Sequence, residues 1–188
     1  VVKEFGETLP VEGSVVQPLK DGDIVELDEF KRLRIVWAPG HAPHHLCIFN
    51  EGGGELFVGD AVGLHLPGVV GVLPAATPPN FDLDTSIQTI RKLEALDPSA
   101  LLFTHYGFVK DVKQTLQRGI RKLRLWGDIT YEASRENSEI SYVAGKLREQ
   151  LKDELKHVRA FFGERIFESY TIMAAYGYLN YFKKIGKY

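Results

Sequence analysis

Three of the six histidines fall within five positions, in the run Pro39-Gly40-His41-Ala42-Pro43-His44-His45. Fifteen residues after His45, the apolar segment Leu56-Phe57-Val58 ends in Gly59-Asp60. A further 45 residues on, Leu101-Leu102-Phe103-Thr104 ends in His105. Imidazoles and a carboxylate thus recur where strand-like segments stop. Side chains at strand ends can converge on one sheet edge without disturbing the core. Imidazole nitrogen and carboxylate oxygen are donors that suit Zn²⁺, Fe²⁺ or Mn²⁺. Taken singly, each residue has a plainer role. His41 can brace a turn, His44 can be exposed loop, His45 can be structural, Gly59-Asp60 is a common turn dipeptide and His105 merely ends a strand. Their joint order along the chain points to a metal site. Cys47 reads as a small core hydrophobe on a strand, not a nucleophile.

The elements that must position these residues are strands first and helices later. Ser14–Leu19, Ile24–Leu27, Leu33–Trp37, Leu46–Phe49 and Leu56–Val58 are strand candidates from their β-branched and apolar content. Asp21-Gly22-Asp23 and the glycine-rich stretch from Asn50 to Glu55 supply the turns between them. Residues 63–82 are rich in proline and glycine without a period, which predicts a long ordered loop bordering the cleft. From Asp84, read as an N-cap, the period becomes helical through Leu96, and Pro98 ends the segment. Ala100–Thr104 reads as a buried strand. Three further helices are expected over about Val109–Gly127, Ser138–Val158 and Glu164–Lys184; the second carries the stripe Ile140, Val143, Leu147, Leu151, Leu155 and Val158. This is an α/β pattern with a helical tail. We expect residues 1–110 to form one domain and 111–188 a helical region packed on or following it.

Composition narrows the classes. Hydrophobic residues make up 44% and charged residues 26% of 188, with a net charge of −2, so there is no electrostatic footprint for nucleic acid. The basic residues from Lys110 to Arg124 read as a solvated helix face. No apolar run reaches the ~20 residues of a membrane span, and no secretory signal is visible. A lone cysteine excludes an intramolecular disulfide and fits a reducing compartment, so the expected location is cytoplasmic.

The segment from Pro39 to Leu46 resembles the Pro-Gly-His-Thr-x-Gly-His motif of the metallo-β-lactamase superfamily, which includes glyoxalase II-type thioesterases and acyl-homoserine lactonases. Leu56-Phe57-Val58-Gly59-Asp60-Ala61 is similar to its Leu-Phe-x-Gly-Asp motif, and Phe103-Thr104-His105-Tyr106-Gly107 to its last histidine motif. The resemblance covers roughly residues 14–110. It implies an incomplete αββα sandwich with a C-terminal helical extension. It implies metal ligands at His45, Asp60 and His105, with Asp60 bridging two metals, and His41 supporting the site from behind. The cofactors implied are two divalent ions, zinc foremost, with iron or manganese as alternatives. The reaction implied is hydrolysis of an ester, thioester or lactone by water activated between the metals, with Asp60 as the central catalytic residue. His65 and Tyr106 are candidate substrate contacts. The partner expected is a small acyl substrate. The tail helices would cover the pocket or form a homodimer face.

The family's His-x-His-x-Asp-His segment, which supplies further ligands to both metals, occurs nowhere in these 188 residues. The expectation is therefore a fragment that binds metal weakly and has little or no activity by itself. The other classes weighed are a phosphodiesterase or nuclease of the same fold, a mononuclear-iron persulfide dioxygenase-like oxidoreductase and a non-catalytic module.

Overall fold

The computed structural model describes residues 9–28, 31–105 and 107–187 of the chain. Its first strands are β1 (Ile24–Asp28), β2 (Lys31–Trp37), β3 (Leu46–Asn50) and β4 (Glu55–Gly59). Then come β5 (Leu64–Leu66), β6 (Val70–Leu73), β7 (Ala100–Phe103) and β8 (Phe108–Val109). A six-stranded sheet runs in the order β1-β2-β3-β4-β7-β8. The first four strands form an antiparallel meander, and β7 joins β4 in parallel. The turn from β3 to β4 closes on itself: Gly54 N–H donates to the Asn50 carbonyl at 2.8 Å, and the Asn50 amide donates to Glu55 at 2.7 Å.

A parallel pair needs a crossover connection. Here it contains the small β5–β6 hairpin, followed by helix α1 (Leu83–Glu94). Four helices follow, α2 (Val112–Glu136) among them. The others are α3 (Ile140–Gln150), α4 (Lys152–Phe162) and α5 (Glu164–Lys184). Alternation sends Val36, Cys47, Leu56, Val58, Leu101 and Phe103 to one sheet face, where all are buried. That face joins Ile87, Ile90 and Leu93 of α1 and Leu116, Ile120 and Leu123 of α2. The same hydrophobic cluster continues to Phe182 in α5.

Several elements differ from expectation. No strand forms over Ser14–Leu19; a 3₁₀ turn occupies Gly13–Val15, with Val15 and Val16 exposed and no neighbouring strand among the described residues. The stretch 63–82 is not all loop, because Leu66, Val72 and Leu73 are buried by folding into the β5–β6 hairpin. Asp82, not Asp84, caps α1: its carboxylate accepts from the Thr85 N–H at 2.9 Å. Asp84 instead accepts from the Tyr181 hydroxyl at 2.6 Å. Helix α2 extends nine residues past Gly127, with Ile129 and Ala133 adding to its buried face. The helix expected over Ser138–Val158 is two helices meeting at Leu151, whose φ and ψ of −108° and 18° leave the helical region. The bend keeps Val143, Leu147, Leu151, Leu155 and Val158 all buried, so the stripe survives although the axis does not. No helix among the described residues is long and apolar enough to cross a membrane.

Candidate metal centre

The loop after β2 and the carboxyl ends of β4 and β7 bring His41, His45, Asp60 and His105 together. His41 is fixed from behind. Its Nδ1 lies 2.7 Å from the Ala75 carbonyl, which can only accept, so Nδ1 carries the proton. Its Nε2 then faces Asp60 Oδ2 at 3.6 Å. In a neutral ring that nitrogen is an acceptor directed at an acceptor. A proton, a cation or a bridging water between them would relieve that opposition.

His45 braces the strand end itself. Asp60 N–H donates to its Nε2 at 2.9 Å, while its buried Nδ1 makes no well-formed hydrogen bond, with the Ala38 backbone as its polar neighbour. Burial and the neighbouring His41 ring lower its pKa, against the opposing pull of Asp60, so the neutral form is favoured. The close approach depends on Gly59: its φ is 52°, and a Cβ there would sit 2.5 Å from His45 Nε2.

Asp60 is a quarter exposed and lies between two imidazoles. His105, 55% exposed, places Nε2 3.2 Å from Oδ1, yet that oxygen is buried without a hydrogen-bond partner. The distance alone would suggest a bond. The imidazole nitrogen approaches off the direction a hydrogen bond needs, so Oδ1 makes none.

These features test the fit of a divalent cation. Buried polar atoms are almost always satisfied, and an ion is one recognised way of satisfying them. Asp60 Oδ1 and His105 Nε2 are metal-ligand atoms of the right kind, and Oδ1 makes no hydrogen bond. His45 is less well disposed, because its Nε2 lone pair is directed to the Asp60 amide. Among the described residues no group of three or more His, Cys, Asp or Glu side chains is arranged to hold a metal. The residues present therefore match a divalent ion in chemical kind, but too few of them are arranged together to hold one unaided.

A cavity of about 230 Å³ opens over this cluster. Besides His41, Asp60 and His105 it is walled by Leu64, Thr77 and, from α5, Tyr170, Met173 and Ala174. The Tyr170 hydroxyl donates to the Pro74 carbonyl at 2.9 Å, tying α5 to the loop that holds His41. Helix α5 reaches this loop because residue 177 is glycine; a Cβ there would lie 2.3 Å from the Ala76 carbonyl oxygen. Tyr170 and Met173 are not among the site residues expected from the sequence. The expectation for the tail helices is a cover for the pocket or a homodimer face; α5 lines the cavity beside Asp60, although no local pattern in its aromatics marks which residues do so.

The remaining candidates separate. His44 is exposed beside the cluster. His65 stands apart from Asp60, with its ring 4.9 Å from that of Phe103 and its Nδ1 3.2 Å from the Gly71 carbonyl. Tyr106 lies outside the described residues. Cys47 is buried against the Val58 carbonyl, and burial pushes its thiol up to about 12, consistent with a core role.

The family model of the metallo-β-lactamase superfamily matches residues 3–105, more than half of the chain, and the chain belongs to that superfamily. Among curated proteins it is 29% identical over 167 residues to the metallo-β-lactamase fold-containing protein ST1585 of Sulfurisphaera tokodaii, covering 84% of this chain and 59% of that one. It is 36% identical over 109 residues to the probable metallo-hydrolase YflN of Bacillus subtilis, covering 49% and 37%. The matched regions thus span less than two thirds of either relative.

Solved structures agree on the fold. The crystal structure of ST1585 superposes with a TM-score of 0.53 at 25% identity, over 61% of this chain and 42% of that one. The metallo-β-lactamase family protein TTHA1429 from Thermus thermophilus gives 0.59 at 22% identity, over 90% and 49%.

Proposed function

We propose that this chain contributes part of the active site of a metal-dependent hydrolase of esters, thioesters or lactones. Asp60, His105 and His45 would supply donors to divalent metal ions, zinc foremost. The observation that carries the reading is the Asp60 carboxylate, set between His41 and His105 with a buried oxygen left unpartnered. A bound divalent ion supplies Lewis acidity and brings the pKa of its water toward about 7.

The chain's own residues prepare that chemistry. His41, held by the Ala75 carbonyl, is itself fixed beside Asp60. His45 fixes the backbone at Asp60. Leu64, Met173 and Ala174 give the cleft apolar walls that limit water around the carboxylate. Nothing in this cluster requires a serine or cysteine nucleophile. The substrate proposed is a small acyl compound, without a nucleic-acid partner.

The test is hydrolysis of p-nitrophenyl acetate, an acyl thioester and a γ-lactone by the complete gene product. Turnover of at least one is expected, lost on chelation, restored by zinc and lost in Asp60→Asn. Turnover that survives both chelation and Asp60→Asn contradicts the proposal.

A further inference from the structure

A second cavity, of about 480 Å³, adjoins the first and shares Leu64 and His105 with it. Leu66 and Pro67 extend its wall along the β5–β6 hairpin, and Phe161 and Phe162 close it from the end of α4. Helix α4 stops there because Gly163 takes a φ of 75°, which leaves the two rings at the helix terminus. Phe161 is 61% exposed. An exposed aromatic at the mouth of an apolar cavity is a feature of binding sites more than of packing.

Size and charge define the occupant. The cavity over Asp60 holds about 230 Å³, below the roughly 300–1,000 Å³ of ordinary ligand sites. It can take a reacting group but little more of a substrate. The adjoining cavity falls inside that range and begins at His105, the residue beside Asp60. No Lys, Arg, Asp or Glu lines it among the described residues. Its other polar group, His65, is tied to the Gly71 carbonyl, and burial holds its pKa below the usual imidazole value. The cavity therefore offers neither a counter-charge for an anionic group nor a carboxylate for a cationic one.

We infer that this cavity binds an uncharged aliphatic chain, the acyl portion of the substrate, with its carbonyl end at His105 and its tail against Phe161 and Phe162. The inference rests on the hydrolase reading for the carbonyl, but the chain-binding surface itself involves no metal.

That separation sets the experiment. Residues 1–188, without metal, are titrated with methyl butanoate, methyl hexanoate and methyl octanoate and followed by NMR. Shifts should fall on Leu64, Leu66, Phe161 and Phe162, with affinity rising by up to about fourfold per added methylene. Phe161→Ala should weaken methyl octanoate binding several-fold, and Phe161→Leu should restore most of it. No dependence on chain length, or shifts confined to the exposed sheet face around Phe57 and Phe108, would overturn the inference. So would unchanged affinity in Phe161→Ala. The outcome does not depend on whether the protein hydrolyses anything, so failure here and failure of the hydrolase reading are told apart.

Discussion

At Gly59 the chain adopts a backbone angle that a side chain resists and passes within touching distance of His45. Gly59→Ala should cost about 1–3 kcal/mol, read as a lower melting temperature, and should displace the His45 ring. His41 acts through Asp60, so His41→Ala should lower zinc affinity about 10–100-fold in the complete gene product while leaving the fold intact. Cys47 makes a different prediction. Its thiol is raised from about 9 to about 12, so the folded protein should resist iodoacetamide at pH 8 and react only when unfolded. The sign follows from the raised value. The stabilising contribution is whole below the unfolded thiol's pKa and is lost as pH climbs from about 9 toward 12. At this scale the sequence is informative. His41, His45, Asp60 and His105 are named by type and spacing, and the structure brings all four together. What spacing cannot convey is ring orientation, and His45 shows it, with Nε2 directed to a backbone amide.

Elements carry the site through a few junctions. Asp82 caps α1 and also accepts from Lys184 of α5 at 3.4 Å. Asp82→Ala should therefore destabilise by about 1 kcal/mol, the ordinary value of a lost cap, measurable by urea denaturation. Gly177 is the tighter junction, since a Cβ would press on the Ala76 carbonyl beside the cleft. Gly177→Ala should cost about 1–3 kcal/mol and loosen the wall formed by Met173 and Ala174. The strands flanking the site are readable because alternation marks their buried face. The bend at Leu151 is not, because the stripe Val143, Leu147, Leu151, Leu155 keeps its spacing through it. Both Asp82 and Asp84 are good capping residues, and tertiary contacts distinguish them: the Asp82 N–H donates to the Gly40 carbonyl at 2.8 Å, while Asp84 accepts from Tyr181. The place of α5 over the cleft depends on contacts about 100 residues apart in sequence, such as Tyr170 to Pro74, which local patterns do not encode.

Over the whole molecule, the helices cover one face of the sheet and leave apolar residues on the other. Ile35, Ile48, Phe57, Leu102 and Phe108 stand in register across five strands. Phe57 is 44% and Phe108 64% exposed, with Trp37 at 51% further along the same face. Ile35 is itself covered, but the exposed aromatics on this face favour association, so residues 1–188 should scatter light increasingly with concentration, and Phe57→Lys with Phe108→Lys should reduce it. The same scale decides the metal question. Members of this superfamily generally bind divalent metals. Under the proposed reading Asp60 and the imidazoles beside it would supply only part of a shell, since no group of three or more ligand-type side chains is arranged to hold an ion among the described residues. The most direct measurement is calorimetric zinc titration of residues 1–188 beside Asp60→Asn and His105→Ala. The account predicts weak binding by the parent chain that both substitutions abolish. Tight binding of two zinc ions by this chain, or binding indifferent to either substitution, would contradict it.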